Sequence, residues 1–254
     1  MYDAAPSVDR KDALSPHPAG SAHAQASLRA PARQASIHYL TPFVAPATTV
    51  APPLAYAVAQ SQAKRLVDII ASTFALLMFL PLLLVIAVAV RFETRGPALF
   101  RQRRTGLNGK VFTIYKFRTM TVAEDHGDIR HATKNDARVT PLGLVLRKCS
   151  LDELPQLLNI LKGDMSFVGP RPHAVSHDDF YGARIPTYND RFRAKPGLTG
   201  LAQVSGYRGE IREMQCMVDR VQADNAYIED WTFARDLWIM LRTVPLVLKD
   251  PNAY

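Results

Sequence analysis

The chain has 254 residues, 48% of them hydrophobic and 21% charged, with 31 Lys and Arg against 23 Asp and Glu. That length carries one or two domains without staples, and two cysteines with no CxxC pair exclude a disulfide framework and a zinc ribbon. The net charge of +8 points to an anionic partner, whether nucleic acid, nucleotide, phosphate or an anionic membrane surface. A mean hydropathy of −0.06 excludes a polytopic membrane protein.

Residues 1–60 hold eight of the eighteen prolines and are rich in Ala, Ser and Thr. No period of 2 or 3.6 persists, and Pro16-His17-Pro18 and Ala51-Pro52-Pro53 break any helix that starts. A disordered tail is expected here. The opening Met1-Tyr2-Asp3 lacks the basic start and apolar run of a cleaved signal peptide.

From Leu66 to Val90 the sequence is LVDIIASTFALLMFLPLLLVIAVAV, with a single charge at Asp68. A straight helix of that length reaches roughly 37 Å, enough to cross a bilayer. Soluble core helices seldom stay apolar all round for so long, so residues 61–91 are expected to be membrane-embedded. Pro81 removes a backbone hydrogen bond near the middle. Basic residues flank both ends, with Lys64 and Arg65 before and Arg91, Arg95, Arg101, Arg103 and Arg104 after. A spanning helix would put one cluster on the wrong side. A helix broken at Pro81 that enters and leaves by one face keeps both in the cytosol, and that re-entrant hairpin is the expected form.

Residues 92–254 are expected to form a small cytosolic domain, giving an α+β, mostly helical, monotopic protein. Ala98-Leu99-Phe100 and Val111–Tyr115 are β-rich runs around the turn material Gly106–Lys110. Residues 121–138 are polar and of mixed charge, a surface excursion. A helical pattern then runs from about Leu142 to Leu161. Between Thr232 and Lys249 the amphipathic run TFARDLWIMLRTVPLVLK carries Trp238 beside Arg235 and Arg242, which favours an interfacial helix.

The densest chemistry lies in RKCSLDELPQLLNILKGDMSFVGPRP, from Arg147 to Pro172. Asp152 and Glu153 are adjacent acids ahead of Pro155. They read either as a capped first helical turn, with Ser150 and Glu153 as a capping box, or as a site. The second reading gains from Arg147, Lys148, Lys162 and Arg171, the last fixed in the rigid Gly169-Pro170-Arg171-Pro172 turn. Arginine forks match phosphate oxygens, and a neighbouring acid can hold a divalent metal on the same phosphates. The pattern indicates phosphoryl chemistry at a membrane surface. In Tyr115-Lys116-Phe117-Arg118, alternation puts Lys116 and Arg118 on one strand face, either as substrate cations or as a solvated edge. Lys195–Gly206 offers glycines where backbone must approach a ligand closely. Cys149 reads as a reduced thiol, His173 as a surface residue, and Asp178-Asp179 as a solvated helix start.

In order, KFRTM, SLDELPQLLNILKGDMSFVGPRP and KPGLTGLAQVSG behind a Lys64-Arg65-x-x-Asp68 apolar segment resemble the bacterial sugar transferases. These are the monotopic polyprenyl-phosphate hexose-1-phosphate transferases that start exopolysaccharide or related glycan assembly. The resemblance covers roughly residues 62–250. It implies transfer of a sugar phosphate from a UDP-sugar to undecaprenyl phosphate, with release of UMP, at the cytosolic face of the bacterial inner membrane. It implies further that Asp152 is the nucleophile of a phosphosugar–aspartyl intermediate and that Glu153 binds Mg2+. Lys116, Arg147, Arg171 and Asp224 would belong to the substrate-binding network. Two departures stand out. Leu80 precedes Pro81 where many members have Ser, and the loop after Ser205 reads Gly206-Tyr207-Arg208-Gly209 where relatives often have Gly-Arg. A homo-oligomer is compatible with this reading, and nucleic acid drops out as the favoured partner. The rivals are a non-catalytic basic membrane-surface or nucleic-acid-binding protein, for which no helix-turn-helix or RNA-binding signature appears, and an enzyme hydrolysing a diphosphate.

Overall fold

The computed structural model describes residues 57–121, 136–209, 211 and 213–249. Most of the expected tail and of the polar excursion lie outside the described residues. Ala57–Gln60 are helical (α1), and Val58 is buried in a core cluster with Val168, Tyr227, Ile228 and Ile239. The last residues assigned to the tail therefore belong to the domain, because one apolar side chain finds a closed site there.

Ser61 caps a second helix, its hydroxyl accepting from Lys64 N at 3.2 Å, and α2 then runs through Gln62–Glu93. The interruption expected at Pro81 is not seen: Pro81 lies inside one assigned helix. Proline forfeits a single N–H, and the apolar turns on either side keep their own bonds. One stripe of α2 faces the domain along its whole length. Lys64, Asp68 and Ser72 are buried at the start, Ala75 and Leu76 meet Ile114 and Leu157, and Ile86 and Val90 pack with Phe117 and Leu146. The remaining circumference is exposed and apolar, including Leu66, Ile70, Phe74, Leu77, Val85 and Phe92.

The polar residues at its start bind the domain. Asp68 Oδ1 accepts from Ser166 Oγ (3.1 Å) and Phe167 N (3.0 Å). Lys64 pairs with buried Asp236 at 2.6 Å, and Arg65 donates to the carbonyls of Ile160 (2.6 Å) and Leu161 (2.8 Å). These two cations, read from sequence as a cytosolic flank of the apolar segment, fasten α2 to the domain.

The hairpin stands where the β-rich runs and turn indicated. Strands β1 (Leu99–Thr105) and β2 (Val111–Phe117) pair antiparallel, Leu99 opposite Phe117 and Thr105 opposite Val111. Asn108 and Gly109 take φ of 55° and 75° in the turn. The expected long helix over 142–161 is three pieces. Helix α3 (Pro141–Lys148) ends before Ser150, a 3-10 helix spans Leu151–Gln156, and α4 covers Leu157–Lys162. The break is set at Ser150, whose φ of 55° no α-helix admits.

Strand β3 (Ser166–Val168) follows, then α5 (Val175–Gly182), a 3-10 turn Tyr188–Arg193, and β4 (Gly197–Thr199) parallel to β3. Three helices close the fold: α6 (Leu201–Val204), α7 (Met214–Glu229) and α8 (Phe233–Lys249). Helix α8 buries Asp236 and Ile239 and exposes Phe233, Leu237, Trp238, Leu241 and Val244. The glycines of the β4 loop serve backbone contact within the chain. A Cβ on Gly197 would lie 2.1 Å from Gly169 N, and one on Gly200 2.2 Å from Gly169 O.

Candidate active site

Three segments converge on Glu153. Strand β2 and helix α4 are joined by Asn159, fully buried, whose Oδ1 accepts from Tyr115 N (3.1 Å) and whose Nδ2 donates to Thr113 O (2.7 Å). That bond sets Lys116 opposite the 3-10 helix carrying the two acids. Lys116 Nζ reaches Glu153 Oε1 at 2.9 Å. Arg171 reaches the same oxygen with Nη2 at 2.6 Å and Oε2 with Nη1 at 3.3 Å.

The turn presenting Arg171 is fixed on several sides. Gly169 N donates to Thr199 O and Gly197 N to Pro170 O, each at 2.9 Å. Arg104 Nη1 donates to Pro172 O at 3.3 Å, and Arg191 Nη2 to Arg171 O at 2.5 Å. Asp224, 1% exposed, holds Arg191 through Nε and Nη2 at 3.0 Å each. Asp224 thus stands behind Arg171, acting on it through Arg191. Arg147 lies on the other flank, its Nε donating to Thr119 Oγ1 at 2.9 Å.

The two neighbouring acids differ sharply. Burial would raise Glu153, yet Arg171 and Lys116 hold it well below the usual carboxylate range. Burial first, then the Glu153 charge, pushes Asp152 up to about 6, against the pull of Lys116, Arg147 and Arg171. Burial lowers Lys116 below the ordinary lysine value while Glu153 pulls it the other way. No Ser150 capping box forms: the Ser150 hydroxyl accepts from Arg208 Nη2 at 2.8 Å, and the Glu153 side chain is taken by the two cations.

Of the residues expected at the site, Lys116, Arg147, Asp152, Glu153 and Arg171 come together. Arg118 does not join them. Strand β2 ends at Phe117, so the alternation that pairs Lys116 with Arg118 stops there. Arg118 instead donates to the carbonyls of Thr94 and Arg95 at 2.7 Å each, just past the end of α2. His173 and Asp178, read as surface positions, are 7% and 6% exposed. Tyr188 OH donates to Asp178 Oδ1 at 2.7 Å, and His173 Nδ1 lies 2.7 Å from that hydroxyl and 2.9 Å from Arg191 Nη1. Burial and the Arg191 charge keep His173 well below the ordinary imidazole value, hence neutral. Arg104, read from sequence only as a basic flank, and Arg191 are not marked as inward because a short strand and a 3-10 turn show no period that distinguishes an inward arginine from a solvated one.

Below this charged end lies a cavity of about 410 Å³ between α2, the acid-bearing segment and α8. Its walls include Phe79, Leu154, Phe167 and Met240, and its polar border includes Glu153 and Arg171. Cys149, an exposed free thiol, lies at the rim.

Adjacent acids with opposed pKa values, clamped by fixed cations above an apolar cavity, make a site for an anion carried on an apolar chain. Residues 59–250 match the bacterial sugar transferase family. Over 191 residues the chain is 54% identical to a protein of Caulobacter vibrioides named UDP-glucose:undecaprenyl-phosphate glucose-1-phosphate transferase, covering 75% of this chain and 72% of that one. A Klebsiella pneumoniae protein of the same name is 51% identical over 75% of this chain, which spans only 41% of its length. The exopolysaccharide production protein ExoY of Rhizobium meliloti is 42% identical, with 76% of this chain and 88% of that one covered. The chain belongs to the bacterial sugar transferase family, and its class is that of the phosphoglycosyl transferases.

Proposed function

We propose that this protein transfers hexose-1-phosphate from a UDP-sugar to undecaprenyl phosphate, giving undecaprenyl-diphospho-sugar and UMP. The observation that carries this reading is the carboxylate pair. Glu153, on the border of the apolar cavity, is ion-paired to Lys116 and Arg171, and burial together with the Glu153 charge makes the adjacent Asp152 the more basic of the two. An Asp152 oxygen attacks the β-phosphorus of the donor, the bond from that phosphorus to the α-phosphoryl oxygen breaks, and UMP leaves with the electron pair. A phosphate oxygen of the acceptor then attacks the same phosphorus and returns Asp152 as carboxylate. Lys116, Arg147 and Arg171 balance the charge that develops on the transferred and departing groups. Splitting the transfer turns one difficult displacement into two easier ones.

Magnesium fits the donor set. Among the described residues no three-ligand acidic cluster exists, but this ion commonly takes one or two carboxylates and completes its shell with phosphates and water. Glu153 would hold it, since Oε2 receives only the longer Arg171 contact at 3.3 Å. When bound, the ion would neutralise phosphate oxygens.

The cavity walls suit an isoprenoid tail, and the exposed faces of α2 and α8 suit the bilayer. Support for an α2 that enters the bilayer from one face without crossing it comes from its contacts, since both ends bind one domain while the opposite face is apolar. On this reading the enzyme works at the inner membrane with a cytosolic catalytic face, at the first step of exopolysaccharide or related glycan assembly. The relatives named for UDP-glucose make glucose the first donor to try.

The test is UMP release by the purified full chain with Mg2+, undecaprenyl phosphate and a panel of UDP-sugars. Release beyond one equivalent per enzyme that requires the lipid phosphate, and loss of all release in Asp152→Asn, are expected. Lipid-independent multiple turnover would favour diphosphate hydrolysis, and full activity in Asp152→Asn would exclude the covalent route.

A further inference from the structure

A second guanidinium borders the apolar cavity beside Arg171, and it belongs to the loop whose ligand the family resemblance leaves open. Arg208 follows α6, where Gly206 takes φ of 92° and turns the chain back. The loop is fastened on both sides of Arg208. Tyr207 N donates to Ala202 O at 3.0 Å, and Arg220, 7% exposed on α7, donates to Gly209 O at 3.0 Å. Arg208 Nη2 in turn donates 2.8 Å to Ser150 Oγ, at the head of the segment carrying both acids. Lys116 and Arg147 do not line the cavity, whereas Arg171 and Arg208 do.

On the reading given above, we propose that Arg208 binds the phosphate of the lipid acceptor and acts in the second half-reaction. A phosphate monoester on a long isoprenoid needs apolar walls for its chain and a cation at the end of them for its head. Of the two guanidiniums on that border, Arg171 is bonded to both oxygens of Glu153, and Arg208 is the one tied to Ser150 at the head of the acid-bearing segment. Its planar fork holds the two phosphate oxygens that do not attack. The attacking oxygen forms its bond to the phosphorus on Asp152, and the bond from that phosphorus to the carboxylate breaks.

The two half-reactions separate this role from donor binding. The full chain mixed with UDP-glucose labelled in its β-phosphate releases UMP and retains label on protein, and undecaprenyl phosphate then discharges the label to lipid. In Arg208→Ala, UMP release and labelling stay within about twofold of wild type. Discharge at low acceptor falls on the order of 10- to 100-fold through a raised acceptor KM, as for loss of a charged hydrogen bond. Arg208→Lys recovers part of the loss. Ser150→Ala, which removes the tie but keeps the guanidinium, must not reproduce the KM rise. Slowing of labelling as severe as that of discharge, or a Ser150→Ala variant matching Arg208→Ala, would overturn the assignment. A wild-type chain that never takes up label overturns the proposed function itself, and this assignment with it.

Discussion

Asp152 and Glu153 are bonded neighbours with the same functional group, yet the fold gives them opposite tendencies. Glu153 is within 2.9 Å of Lys116 and 2.6 Å of Arg171, so its charge is compensated and its basicity falls. Asp152 has burial and its neighbour's negative charge, and it becomes the more basic of the two. On the proposed route the nucleophile gains from that basicity, and the depressed pKa keeps its neighbour ionised. Lys116→Ala removes a preorganised cation from this pair, and we expect UMP release to slow on the order of 10²-fold. A rate within a few-fold of wild type would exclude Lys116 from the reacting centre. Behind the site, His173 predicts a pH effect on stability. Its folded pKa lies well below the unfolded value of 6.5, so below that pH the unfolded chain binds the extra proton. Its contribution is therefore intact above about 6.5 and is lost as pH falls, by at most about 1.4 kcal/mol per pH unit for one proton. Between pH 7 and 5 the Tm of wild type should drop further than that of His173→Asn. Equal slopes would show that His173 carries no such linkage.

Among the elements, the joint between β3 and β4 and the root of α2 bear the greatest mechanical demand. Gly197 passes so close to Gly169 that an added Cβ meets backbone at 2.1 Å, and backbone cannot rotate away as a side chain does. Gly197→Ala should cost about 2–3 kcal/mol and shift the turn holding Arg171, lowering both Tm and UMP release. At the root of α2, Lys64→Met would leave Asp236 buried beside Tyr227 OH (2.8 Å) and Trp231 Nε1 (3.1 Å) without its cation. A loss of about 3 kcal/mol is expected, and Lys64→Met with Asp236→Leu should recover much of it. Thermal unfolding in detergent tests both. These joints also divide what could be read from sequence. The β1–β2 hairpin was legible because two β-rich runs flank the Gly106-Leu107-Asn108-Gly109 turn, and the acid pair because Arg147 and Arg171 stand within one dense motif with it. The parallel β3–β4 pair was not, since three-residue strands carry no period and their bonds cross some thirty residues of chain. Arg118 was misread because alternation was carried one residue beyond the strand's end. Arg191 and Asp224 meet only through folding, and no spacing announces such a pair.

At the scale of the whole molecule, charge and apolar surface are separated in a way that constrains how it meets a bilayer. Helix α2 exposes Leu66, Phe74, Leu77, Val85 and Phe92, and α8 adds Leu237, Trp238, Leu241 and Val244, more apolar surface than a soluble monomer shows. A helix of 32 residues extends about 48 Å, well beyond a hydrocarbon core of about 30 Å. If α2 crossed the membrane along that length, Lys64 at one end and Val90 at the other would face different compartments. Yet Lys64 is bonded to Asp236, and Val90 is packed on Phe117 and Leu146, all within one domain. Burying Lys64 and Asp68 against that domain and bonding Arg65 to its carbonyls also removes charges that would otherwise anchor a crossing helix at its start. The expectation is that both ends of α2 open to the cytosol. With Cys149 and Cys216 replaced by serine, single cysteines at Gln62 and Phe92, both exposed, should react with a membrane-impermeant maleimide in inside-out vesicles. Neither should react in intact spheroplasts. Reaction of one position from each side would establish a spanning helix and require the domain contacts at one of its ends to be broken in the membrane.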